Sequence, residues 1–256
     1  MHMLKQFVLL VALPACTALS AAGAQTIPGA VLARNEPHHH PAYEDSLVRV
    51  LRVDVPGHDT TLLHEHGPDY FWIALGASEV INVRLGQPDA TIRSADLSMH
   101  YTVGRFAHVA RNPGTKAFRN ITVELLRSQT NVQNLCEEVV AGAPLICTST
   151  RVYRGLGVLE RPMFETDQLR VSLLTLDAGG KLDGPRTPGS RLYITLNPLD
   201  ATVLHARPEG PMRVAAARPG VEWSGGAWLA SADGTWQLSN GSSRAIEVIE
   251  VTAKRR

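Results

Sequence analysis

Charge imbalance is the first thing missing from this sequence. Once Lys5 is removed with the leader described below, 24 basic residues face 24 acidic ones. A chain of zero formal charge carries no electrostatic footprint for nucleic acid or for an anionic membrane surface. Long apolar runs are missing too: past the N-terminal segment nothing approaches the ~20 residues a helix needs to span a bilayer. Aromatics are sparse at 5%, while Val, Leu, Ile and Thr recur in short runs. There is no Gly-x-Ser-x-Gly elbow, no phosphate loop and no dinucleotide fingerprint. These absences exclude a nucleic-acid binder, a helical membrane protein, a nucleotide-dependent enzyme and an elbow-type serine hydrolase.

Residues 1–24 read as a secretory leader. Lys5 supplies the positive start, Phe7 to Ala15 the apolar run, and Ala22-Gly23-Ala24 the small-residue cleavage site. The mature protein is therefore expected outside the cytoplasm, periplasmic or secreted. A competing signal, Leu13-Pro14-Ala15-Cys16, is a poor version of a lipoprotein site that would anchor the chain through Cys16. Of three cysteines, Cys16 leaves with the leader. Cys136 and Cys147 remain, and an oxidising compartment predicts that they pair.

Residues 25–46, rich in Pro, Ala, His and Asn, read as an arm containing His38-His39-His40. The run could bind metal, but adjacent histidines in a strand cannot all face one way, and the alternatives are a solvated linker or a middle member packed against a barrel. From Ser46 short strands recur, at about 47–54, 61–66, 70–75, 79–85, 91–94, 99–103, 108–112 and 118–126, separated by Gly, Pro, Asn and Asp. Regular short strands with such punctuation predict a sandwich or barrel. A connector at 129–150 holds the cysteine pair and an apolar patch, Val139-Val140-Ala141, suited to covering a barrel end.

The pattern then repeats. Leu169-Arg-Val-Ser-Leu-Leu-Thr-Leu-Asp echoes Leu47-Val-Arg-Val-Leu-Arg-Val-Asp, Arg191-Leu-Tyr-Ile-Thr-Leu196 echoes Tyr70-Phe-Trp-Ile-Ala-Leu75, and Asn240-Gly-Ser echoes Asn112-Pro-Gly. Self-similarity at this spacing points to duplication of a whole domain. The predicted organisation is all-β: a first barrel at 47–128, the connector, and a second barrel at 151–256. In that comparison His64 falls on Pro185, His66 on Thr187 and His108 on Trp236, so the second barrel is expected to be degenerate and without metal ligands, filled in part by Trp223, Trp228 and Trp236.

The chemistry concentrates between Asp54 and Asn120. His64 and His66 are two apart, which in a strand puts both imidazoles on one face, and His108 enters from a later strand. Converging neutral imidazoles suit Zn, Fe, Mn, Ni or Cu. Gly57, His64, His66 and Gly76, followed by Gly104, His108 and Asn112, resemble the paired motifs of the cupin superfamily, with slips of one residue around the glycines. The resemblance implies two tandem jelly-roll barrels (a bicupin) and one divalent transition metal on His64, His66 and His108. Where that pattern has a glutamate ligand, this chain has Tyr70. Three roles fit Tyr70: ligand, hydrogen-bond donor to a metal-bound group, or filler of the carboxylate's place. His100 is a candidate fourth ligand. By alternation Tyr70 shares a face with Trp72, and Asn82 with Arg84, which makes these four candidate pocket residues. Asp69, in a turn beside them, is a candidate mobile base.

Two functions of different class fit. In one, the protein is an exported metalloenzyme acting on a small molecule by oxygenase, isomerase or hydrolytic chemistry. The all-histidine set resembles that of thiol dioxygenases in ligand type alone. In the other, it is a non-catalytic module that binds a small ligand or uses the metal to hold the barrel. An enzyme keeps an open coordination position, whereas a structural site is closed by a fourth protein ligand.

Overall fold

The computed structural model describes residues 27–147, 152–183, 191–196, 201–205, 227–230 and 236–254, with the side chains of 201–205, 227–230 and 236 excepted. The leader with Cys16, and also Pro185, Thr187 and Trp223, lie outside the described residues. The side chains of Trp228 and Trp236 do as well.

The first half contains β1 (Val31–Leu32), β2 (His39–Glu44), β3 (Val48–Val55), β4 (His64–His66), β5 (Asp69–Ala74), β6 (Ser78–Arg84), β7 (Ala90–Ser94), β8 (Met99–Thr102), β9 (Phe106–Arg111) and β10 (Phe118–Leu125). They form two five-stranded sheets, in the orders β1-β4-β9-β6-β7 and β2-β3-β10-β5-β8. The arm differs from its sequence reading. Residues 31–32 pair in parallel with β4, and 39–44 pair with β3, so the segment is built into both sheets.

The second half contains β11 (Gln133–Asn134), β12 (Val152–Glu165), β13 (Leu169–Asp183), β14 (Arg191–Thr195), β15 (Ala201–His205), β16 (Ala227–Ala230), β17 (Trp236–Asn240) and β18 (Ile246–Ala253). Its main sheet runs β11-β12-β13-β18-β14-β16, with β17 bridging β13 and β15. The architecture is all-β, and the described residues contain no α-helix.

Strand alternation explains the packing. On β3, β5 and β10 one face carries Val53, Val55, Tyr70, Trp72, Ala74 and Phe118, which pack with Val80 across the first half's interior. The other face carries Val48, Val50, Phe71, Ile73, Ile121, Val123 and Leu125. These pack against Leu169, Val171, Leu173, Leu192, Ile194, Ile249 and Val251 of the second half. A sheet buried on both sides needs apolar residues at successive positions, which is why these strands read as nearly unbroken apolar runs. A separate cluster of Val158, Leu174, Leu176, Leu182, Tyr193, Leu238, Ile246 and Val248 fills the second half.

Two asparagines, one in each half, make matching networks. Asn112 Nδ2 donates to the carbonyls of Val55, Pro56 and Lys116, and its Oδ1 accepts from Gly114 N. Asn240 Nδ2 donates to the carbonyls of Leu176, Asp177 and Arg244, and its Oδ1 accepts from Ser242 N. Each ties the segment just before the last strand of its half to the backbone of a neighbouring strand, at the end of β3 for Asn112 and within β13 for Asn240. Among the motif glycines, Gly104 lies so close to the Pro68 carbonyl that a Cβ would overlap it, so no larger residue fits.

Cys136 and Cys147 are bonded, with Cα atoms 4.5 Å apart and a sequence separation of 11. The bond closes the loop that carries Val139 into the core between the halves, where Asn134 binds the backbone at Val139, Val140 and Ala143. Closing a loop of this size contributes about 3 kcal/mol through the unfolded chain. Reductant should therefore lower the denaturation midpoint of the parent and leave a Cys136→Ser/Cys147→Ser variant unmoved. Two free thiols in protein isolated without reductant would contradict the assignment.

The second half also buries a charged network. Glu250 accepts from Arg154 (2.8 Å), Arg191 (3.2 Å) and the Tyr193 hydroxyl (2.6 Å). Burial alone would raise its pKa, but Arg154, Tyr193 and Arg191 together hold it below the ordinary 4.5. A depressed carboxyl stabilises the fold above its unfolded pKa and loses that contribution as pH falls through the folded value. The stability gap between parent and Glu250→Gln should thus be full at pH 7 and shrink below about pH 4.5. Thermal melts across that range check it, and a gap independent of pH would refute it.

Candidate metal centre

β4 and β9 run antiparallel with His64 opposite His108, and paired residues share a face, so the rings meet at a centroid distance of 4.4 Å. His66 lies on the same face, 5.2 Å from His64 and 5.4 Å from His108. Glu65, between them, points away and accepts the Ile27 amide at 2.6 Å. A further ring comes from the arm. His39 pairs with Val53, whose side chain faces the barrel interior, so His39 faces inward as well. Its ring is 4.6 Å from His64. His40 is exposed, and His38 hydrogen-bonds the Asp54 carbonyl at 3.1 Å. Of the three consecutive histidines, only the middle one reaches the site. Ligand atoms of His39, His64 and His66 lie within 4.8 Å of one another, a group that could hold a metal ion.

All four rings are held from behind. His64 Nδ1 contacts the Leu62 carbonyl (2.9 Å), His66 Nδ1 Glu124 Oε1 (3.1 Å), His108 Nδ1 Asn82 Oδ1 (2.7 Å) and His39 Nδ1 Glu36 Oε2 (2.6 Å). Each partner is an acceptor, so each Nδ1 donates, which in the neutral rings of His64, His66 and His108 leaves Nε2 with a free lone pair. The Nε2 of His108 is buried with no hydrogen-bond partner among the described residues. A buried unpaired nitrogen is costly in an apolar barrel and is satisfied by a cation.

The electrostatics agree. Burial, then the proximity of His39 and His66, pushes His64 down to about 3. Burial likewise lowers His66, with Glu124 opposing, and it lowers His108 well below the usual range, helped by His64 and His66. These three rings are neutral at pH 7, the form that ligates. Burial would raise Glu124, but His66 and Arg49 hold it down; for Glu36, His39 and the Leu62 and His38 amides do the same. Two buried carboxylates thus stand behind the ring set.

The other candidates lie around this centre. Tyr70 stacks on His66 (4.1 Å), and burial pushes its phenol up to about 12. Tyr70, Trp72, Asn82 and Arg84 line the same pocket as the histidines, a space of about 610 Å³. Asp69 accepts from the Tyr101 hydroxyl (2.6 Å) and the Gly104 amide (3.0 Å) and is not among the lining residues. His100 stacks on the side of Trp72, with Nε2 on Ser98 Oγ (3.1 Å), and does not line the pocket either.

No protein-family model and no curated protein matches the sequence. Among solved structures, AerE from Microcystis aeruginosa has a TM-score of 0.54 at 11% identity, covering 86% of this chain and 99% of its own. A cupin 2 conserved barrel domain protein from Leptotrichia buccalis has a TM-score of 0.47 at 9% identity, covering 84% and 88%. The salicylate 1,2-dioxygenase from Pseudaminobacter salicylatoxidans has 0.48 at 11%, covering 82% and 72%. The fold is an all-β jelly roll. At such identities the likeness is one of fold alone, and the chemistry rests on this chain's own side chains.

Sequence reasoning missed Glu36 and Glu124, and it placed His39 only within a histidine run that could bind metal. Glu124 left a signal: it is a lone carboxylate in the apolar strand Phe118–Leu125, at an inward position by alternation, and such a group is buried only when it is partnered. Replacing Glu124 with Gln removes the charge behind His66. Metal affinity should fall about 10–100-fold, read by titration against a competing chelator. Unchanged affinity would make Glu124 a purely structural partner of Arg49.

Proposed function

We propose that this is an exported protein that holds one divalent transition metal in its first barrel and acts through it on a small molecule. The observation that carries this reading is the common orientation of His39, His64, His66 and His108. Every Nδ1 is engaged from outside, and the buried Nε2 of His108 has no partner among the described residues. An all-imidazole set suits Zn, Cu, Ni, Fe or Mn. Once bound, the metal supplies a Lewis acid that polarises a ligated group or lowers the pKa of water.

The chain's own residues do the rest. Glu36 and Glu124 fix ring orientation. Tyr70, protonated at neutral pH, holds a proton at the pocket wall as a hydrogen-bond donor. The apolar residues Val53, Val80 and Phe118 limit water. We assign 47–128 to the metal-binding barrel, 129–150 to the connector and 151–256 to a degenerate second barrel that supports the first. The shared asparagine networks and the separate core clusters support that division.

One observation favours the non-catalytic reading: His39 stands with His64 and His66 as a possible ligand group, and with His108 added four imidazoles would close a tetrahedral site. Elemental analysis of full-length protein taken from the exported fraction should find about one equivalent of metal per chain. A His64→Ala/His66→Ala/His108→Ala variant that binds as much metal as the parent would overturn the assignment. Exchange of a metal-bound water, read by paramagnetic relaxation of the cobalt-substituted protein, separates an open site from a closed one.

A further inference from the structure

The barrel wall beside the histidines carries a cation that nothing in the metal site uses. Arg84 ends β6 and pairs with His108 on β9, so both side chains belong to the same face. Its guanidinium carbon lies 3.9 Å from the centroid of the Phe106 ring. Stacking of this kind fixes the plane of the fork while leaving its in-plane N–H groups free. Other arginines of the two halves are matched by carboxylates. Arg49 meets Glu44 at 2.7 Å and Glu124 at 2.6 Å, Arg154 meets Glu160 and Glu250, and Arg191 meets Glu250. Among the described residues no carboxylate pairs with Arg84, although it is only half exposed and lines the pocket. Its charge is felt by both Tyr70 and His108, which places it near the metal end of the pocket. Trp72 and Phe118 face it from the other sheet, beside the smaller polar side chains of Thr102, Asn120 and Thr122, while Val80 and Ile92 extend the lining along its own sheet.

We propose that Arg84 is the anion-recognition residue of this pocket and that the molecule bound there is an organic monocarboxylate with a compact apolar body. A planar, pre-oriented guanidinium matches a carboxylate bidentately, and a single unpaired cation calls for a single negative charge. Trp72, Phe118, Val80 and Ile92 give the remainder its apolar character, and their closeness to the histidines keeps it compact. The proposal rests on the metal reading for the far end of the ligand, but the Arg84 contact stands on its own geometry.

The test uses full-length protein, metal-free and zinc-loaded, titrated calorimetrically with benzoate and with its neutral counterpart benzamide. Metal content is measured in parallel. Zinc-loaded parent should bind benzoate at least about tenfold more tightly than benzamide, the usual scale for a charge-assisted contact. Arg84→Gln should abolish that preference while leaving zinc stoichiometry intact. Arg84→Lys should restore it only in part, because an ammonium lacks the fork. If Arg84→Gln takes up zinc and binds benzoate as the parent does, or if the parent does not distinguish the two probes, the proposal is overturned and the metal reading survives. If the protein takes up no zinc yet binds benzoate in an Arg84-dependent way, the metal reading fails and the role of Arg84 stands.

Discussion

His64→Ala should strip the first barrel of its metal. His64 touches each of the other three rings, at 4.6 Å from His39, 5.2 Å from His66 and 4.4 Å from His108, so its loss removes the centre of the set. Affinity should fall by more than the ~10–100-fold expected for losing an outer partner. The informative companion is His39→Ala. If His39 is a ligand, affinity drops and a coordination position opens. If His39 only packs against His64, stoichiometry and affinity stay near the parent's. His58 is the control, since it lies exposed in a turn with φ of 61°. Its replacement by alanine should leave metal content unchanged. Chelator competition measures all three, and a His64→Ala protein with parental affinity would place the metal elsewhere.

Phe71→Ala should cost about 3–5 kcal/mol, as expected when a fully buried aromatic is cut out of a core that can relax only in part. Phe71 is 0% exposed and meets Phe164 of the other half edge-on at 5.3 Å. It sits in the layer joining the two halves, so the cavity falls where both depend on it. In a chain of this size the loss should lower Tm by roughly 10 °C. Leu62→Ala, at 52% exposure, should change stability by no more than about 0.5 kcal/mol. Far-UV dichroism and tryptophan emission should report one shared transition. If Phe71→Ala shifts one signal and leaves the other in place, the halves unfold independently and the shared core contributes little.

Much of the first half was legible. The expected strands at 70–75, 79–85 and 118–126 are observed as Asp69–Ala74, Ser78–Arg84 and Phe118–Leu125, because period-two alternation and turn residues are local signals. The apolar faces of Leu47–Asp54 and Leu169–Asp177 announced burial on both sides, and the structure packs them into one layer. The asparagine echo carried real information, since Asn112 and Asn240 make matching networks. The arm was not legible. Residues 25–46 show no sustained period, and β2 forms on the template of β3, with a register shift between Pro41 and Tyr43 that breaks alternation.

By itself, the sequence determined the all-β class, the facing of His64 and His66 and the cysteine pair. Each of these follows from residue identity or from spacing along one strand. Only the tertiary structure decided that His39 turns inward, that Glu36 and Glu124 stand behind the ring set, that Asp69 is taken by Tyr101 and Gly104, and that Arg84 stands beside His108 with no carboxylate partner among the described residues. Those outcomes depend on which strands become neighbours and in what register. Backbone hydrogen bonding sets register between segments far apart in the chain, and alternation within any single strand carries no record of it.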